Sequence, residues 1–119
     1  MIIMKENIIK IKSFAFSLRI VKLYQFLTES RREFILSKQL LRSGTAIGAL
    51  VRESEHAESK ADFIHKLSIA LKEANESEYW LDLLYQSDYI DKNDFESYKT
   101  EVEEILRLLI SIIKSSKQK

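Results

Sequence analysis

The run Ser37–Ala57, SKQLLRSGTAIGALVRESEHA, holds both glycines of the 119-residue chain. No other stretch restricts the fold as much. Large apolar residues Leu36, Leu40, Ile47 and Leu50 recur around it, with Ser43 between them, at alternating steps of four and three. That rhythm is one face of a packed helix. Small residues fill the middle: Ser43, Gly44, Thr45, Ala46, Gly48 and Ala49. Glycine costs a helix about 1 kcal/mol relative to alanine, so two within five residues call for a second backbone approaching closely. The expectation is a long helix with three others packed around it.

The remaining composition agrees. The length suits one domain and is enough to bury a core without staples. There is no cysteine, which excludes disulfides and thiolate metal sites. No proline and only two glycines leave little of the turn punctuation an all-β fold needs. The fold class expected is all-α, an antiparallel up-down-up-down four-helix bundle. The start, MIIMKENIIKIK, is too charged for a secretory leader. The longest apolar stretch, Ile105–Ile113, is interrupted by Arg107 and Ser111 and falls short of the roughly 20 residues of a membrane span. The expectation is a soluble cytoplasmic protein with no membrane partner.

Taken in order, the first helix is expected over about residues 7–27. It carries two apolar stripes: Ile11, Phe14, Leu18 and Val21, and Phe16, Ile20, Leu23 and Leu27. Two stripes imply two packing neighbours, in the bundle interior or at a subunit interface. Ser30 followed by Glu33 has capping-box spacing and starts a second helix at about 31–58. Ser59 with Asp62 starts a third at about 60–87, with a stripe of Phe63, Leu67, Ala70, Ala74, Ser77, Leu81 and Leu84. Asp91 with Asp94 starts a fourth at about 92–115, with a stripe of Phe95, Tyr98, Val102, Ile105, Leu109 and Ile112. Beyond it, the basic tail from Lys114 is expected to fray. Helical serines at 43, 54, 68 and 77 read as small residues at packing contacts.

Charge is unevenly spread. Residues 1–60 hold 11 Lys/Arg against 6 Asp/Glu, and residues 61–119 hold 8 against 12. A basic first half suits phosphates or an acidic partner; the simpler reading is that basic and acidic helices complement each other, within a bundle or between subunits. Lys10, Lys12, Arg19, Lys22, Arg31, Arg32 and Lys38 are the candidate nucleic-acid contacts. Arg42, Glu53 and Glu76 lie beside helix seams and are read as buried polar groups fixing register. Trp80, Tyr79 and Tyr85 are candidates for an interface between copies. Glu53-x-x-His56 and Asp62-x-x-His65 superficially match the ligand pairs of two-iron bundles, but both lie near one turn rather than mid-bundle. No metal, catalytic or cofactor site is therefore assigned. The sequence also lacks a glycine-rich phosphate loop and a nucleophile elbow.

The run Gln39–Glu53, then Ser59-Lys-Ala-Asp-Phe63, Leu67-Ser-Ile-Ala70 and Glu76, resembles the bacterial four-helix-bundle proteins, also called 23S rRNA-intervening sequence proteins. The matching positions include Leu40, Arg42, Ile47 and Ala49. Gly48, Leu50, Arg52 and Ser54 depart from a pattern in which many members have Pro, Asn, Ala and Gly; the Asn on which a polar site could be built is missing here. The resemblance implies an antiparallel four-helix bundle, often assembled as a pentameric ring, without enzymatic activity. A similar accessory protein of diversity-generating retroelements uses a basic ring to bind nucleic acid and its reverse transcriptase. The function expected is thus a non-enzymatic homo-oligomer that binds RNA, DNA or a ribonucleoprotein partner. The alternatives are a protein-binding scaffold and, more remotely, a metal-binding bundle enzyme.

Overall fold

Four helices make up a computed structural model that describes residues 2–118: α1 (Ile2–Glu29), α2 (Leu36–Ser54), α3 (Lys60–Gln86) and α4 (Lys92–Lys117). Short connections make successive helices antiparallel. α1 packs on α2 and α4, and α3 packs on the same two. Among the described residues the backbones of the diagonal pairs α1–α3 and α2–α4 do not approach each other closely, so α2 has two adjacent helices and meets the third only across the shared core. The rod measures 47 × 23 × 19 Å.

The stripes of α3 and α4 form the core as expected. From Leu67 to Leu84 and from Phe95 to Ile112 the expected positions are buried, and only Phe63 at the α3 start is half-exposed. α1 contributes Phe16, Ile20, Leu23 and Leu27, and α2 contributes Leu40, Ile47 and Val51. Leu36 and Leu50, expected on the seam of α2, are half-buried at its margin. Ser77 donates from its hydroxyl to that of Ser43 at 2.9 Å, inside the α2–α3 seam. Ser54 is buried too, whereas Ser68 is exposed and makes no packing contact of the kind expected.

The two glycines face α1. A Cβ on Gly48 would lie 3.3 Å from the Ser13 carbonyl oxygen, and one on Gly44 would lie 3.0 Å from both γ carbons of Ile20. The close approach predicted from the sequence is therefore the α1–α2 contact, backbone to backbone only at Gly48.

Four helix boundaries differ from expectation. α1 begins by Ile2 rather than near residue 7, and α4 continues to Lys117 instead of fraying from Lys114. α2 starts at Leu36, five residues later than the Ser30 capping box implied, and ends at Ser54 rather than near residue 58. The Ser30 N–H still donates to the Phe26 carbonyl at 2.8 Å, so Ser30 closes α1. Arg32 then turns left-handed at φ 55°, and the Glu33 N–H reaches back to Leu27 at 2.9 Å. At the other end of α2, His56 and Ala57 donate to carbonyls three residues back, which tightens and terminates the helix. The remaining caps are as read: Ser59 accepts from the Asp62 N–H at 3.0 Å, and Asp91 from the Asp94 N–H at 2.8 Å.

Candidate functional site

The seven candidate cations divide into two groups. Three are spent on acids of the bundle. Lys10 pairs with Glu55 at 3.1 Å, Lys12 pairs with Glu104, and Arg19 pairs with Glu101. Arg19 also donates to the Ser97 hydroxyl at 3.1 Å and lies 4.1 Å over the Tyr98 ring. Burial raises the Tyr98 hydroxyl above its ordinary pKa, and the Arg19 cation only partly offsets this. Two of these pairs, Lys12–Glu104 and Arg19–Glu101, join α1 to α4 along their shared edge.

The other four, Lys22, Arg31, Arg32 and Lys38, make no ion pair among the described residues. Three of them lie on or beside the six-residue connection between α1 and α2. Its geometry is set by Glu33, which is buried. The Glu33 carboxylate accepts from the backbone N–H groups of Ile35 at 3.1 Å, Leu36 at 3.0 Å and Ser37 at 2.6 Å. The Ser37 hydroxyl donates back to the Glu33 carbonyl at 2.8 Å. Desolvation on burial would raise the Glu33 pKa, but these hydrogen bonds outweigh it and hold the group below its ordinary value. Glu33 therefore occupies the α2 N-terminus, and that terminus is not open to a phosphate.

With its backbone tied down, the connection presents its side chains outward. Arg31 donates to the Tyr89 carbonyl at 2.9 Å and lies 5.2 Å over the Tyr89 ring. Arg32 lies 5.5 Å over the Phe34 ring. Phe34 is 53% exposed and Ile35 74%. Neither residue is part of a stripe, so periodicity did not single them out.

The three residues read as buried polar groups are not buried. Arg42 is half-exposed, donates to Glu73 at 3.1 Å and pairs with Glu76, which also accepts from the Trp80 indole N–H at 3.2 Å. Glu53 pairs with Lys66 at 3.3 Å and is exposed. All these acids lie at the rim of the α2–α3 seam, where the long side chains reach water. Of the aromatic interface candidates, Trp80 is half-buried against Tyr79, with ring centroids 5.1 Å apart, and Tyr85 stacks on Phe95 at 4.3 Å. Only Tyr79 is turned outward. His56 and His65 are exposed, and among the described residues no three His, Cys, Asp or Glu side chains converge on a point. Among those residues no helix is long and apolar enough to cross a membrane.

A further exposed apolar surface lies on α1. The Ile11–Val21 stripe of α1 lies outside the core, leaving Ile11, Phe14, Leu18 and Val21 between 39 and 69% exposed. Met4 continues it seven residues before Ile11. The steps of three and four from Ile11 to Val21 are those of a helix seam, here with no partner in the bundle. Beside Phe14 a groove of about 410 Å³ opens between α1 and α2, lined by Thr45, Gly48, Ala49 and Arg52.

The family model for the 23S rRNA-intervening sequence protein matches residues 5–111. A crystal structure from Bacteroides thetaiotaomicron, described as a protein of unknown function from the S23 ribosomal protein family, is 58% identical to this chain. The similarity covers 92% of this chain and 98% of that one, with a TM-score of 0.92. No curated protein matches.

Proposed function

The chain belongs to the 23S rRNA-intervening sequence protein family, and from that premise we propose that it is a non-enzymatic, self-associating bundle that binds nucleic acid or a ribonucleoprotein through the cations around its α1–α2 connection. The observation that carries the reading is the partition of charge. Lys10, Lys12 and Arg19 are neutralised by the bundle's own acids, whereas Lys22, Arg31, Arg32 and Lys38 are not. Cations that are in no ion pair give a phosphate backbone a place to displace its counterions. One copy offers few such contacts. Several copies in one assembly multiply them, which raises avidity without any new contact. The outward stripe of α1 supplies the apolar area for that assembly.

The stripe also favours a second reading, a protein-binding scaffold without nucleic acid, in which α1 receives a partner's helix. One pair of measurements separates the two. Titration of a labelled RNA with the protein at low and high salt, beside its molar mass in solution, should give an assembly that binds at low salt and releases as salt rises. An assembly that leaves the RNA free at low salt would leave only the scaffold.

A further inference from the structure

The connection between α1 and α2 does more than carry charge. Building on the nucleic-acid reading above, the geometry points to this connection as a stacking site for unpaired nucleobases, with Phe34 taking a base and Arg31, Arg32 and Lys38 holding the phosphates beside it.

Three features carry this. The first is composition at a point. Phe34 and Ile35 are exposed next to three cations, none in an ion pair among the described residues. An exposed aromatic ring with one cation over it and others on or beside the same connection is an arrangement that binds single strands, where bases stack on the ring and the backbone follows the charge. The second is preorganisation. Glu33 ties down three consecutive backbone N–H groups, and Arg31 is anchored on the Tyr89 carbonyl. Phe34 and Arg32 are therefore held out by a fixed backbone, and little order remains to be imposed on binding. The third is Arg32 itself. Its φ of 55° is a conformation that glycine adopts without strain and an arginine does not. The chain accepts that strain and gains a guanidinium 5.5 Å over the Phe34 ring, a plane on which a base also stacks. A duplex keeps its bases inside the stack and offers this ring nothing, whereas it offers the cations as much phosphate as a single strand does.

The test compares a short labelled single-stranded RNA without self-complementarity with the same strand annealed to its complement. The wild-type protein is expected to prefer the single strand. Phe34→Leu keeps apolar bulk and removes the ring, and should weaken single-strand binding about tenfold while leaving duplex binding and the salt slope alone. Arg32→Gly suits the left-handed backbone and so retains the fold; it should weaken both. Equal binding of both RNAs, with Phe34→Leu indistinguishable from wild type, would overturn the stacking site and leave the phosphate reading standing. Binding of neither RNA at low salt would overturn both, and binding of an acidic protein instead would assign the loop to that class of partner.

Discussion

At the scale of single residues, the fold depends on places where one atom more or less decides the packing. Gly44 is one. A methyl group there would meet both γ carbons of Ile20 at 3.0 Å, and a β-branched side chain in a helix has almost no other rotamer to take. Gly44→Ala gains about 1 kcal/mol of helix propensity but forces α1 and α2 apart, at a cost of about 1–3 kcal/mol. A net fall in the denaturation midpoint is expected, and an unchanged or raised midpoint would mean that Ile20 yields. Glu33 is another. Its depressed pKa means that its carboxylate stabilises the fold above the ordinary carboxylate value of 4.5, and that this contribution is lost as pH falls through the lower folded value. Glu33→Gln should cost about 1–2 kcal/mol at neutral pH. Measured by chemical denaturation, the gap between wild type and variant should close below pH 4.5 and not above it. The glycines announced themselves in the sequence because their helix cost demands compensation. Glu33 did not: its acceptor role depends on the left-handed turn at Arg32, and nothing in an Arg-Arg-Glu run marks that turn. Spacing alone assigned the cap to Ser30.

At the scale of the helix, periodicity identified what each element can bury but not against what. The stripes of α3 and α4 were legible, Phe63 apart, because each helix has one main apolar stripe and turns it into the core between its two neighbours. α1 has two such stripes, and the same three-four rhythm describes the buried Phe16–Leu27 set and the outward Ile11–Val21 set equally well. Only the positions of α2 and α4 decide between them. Trp80 and Tyr85 are half-buried with their rings against Tyr79 and Phe95, whereas the outward stripe of α1 leaves four large apolar residues exposed. If that stripe joins copies, Leu18→Glu should leave helix content and unfolding cooperativity intact, because Leu18 is 52% exposed in the single bundle. The molar mass in solution should fall from that of an assembly towards the 14.0 kDa of one chain. A wild-type protein already at the single-chain mass would contradict the role given to α1.

At the scale of the whole molecule, the asymmetry between a basic first half and an acidic second half resolves into pairs. Lys12 and Arg19 on α1 meet Glu104 and Glu101 on α4, and Arg42 on α2 meets Glu73 and Glu76 on α3. Exposed pairs of this kind contribute about 1 kcal/mol at most, so they matter less for stability than for deciding which cations remain. The sequence displayed the charges but could not place them on a common surface, because placement depends on the antiparallel packing of α1 with α4. The members of the candidate set left unpaired are Lys22, Arg31, Arg32 and Lys38. The slope of log affinity against log salt for RNA reads that remainder directly. Neutralising Arg31, Arg32 and Lys38 to glutamine should flatten the slope, whereas neutralising Lys10 and Lys12 should leave it near the wild-type value. Equal slopes in the two variants, or a flattening confined to the Lys10 and Lys12 variant, would refute this division of the cations.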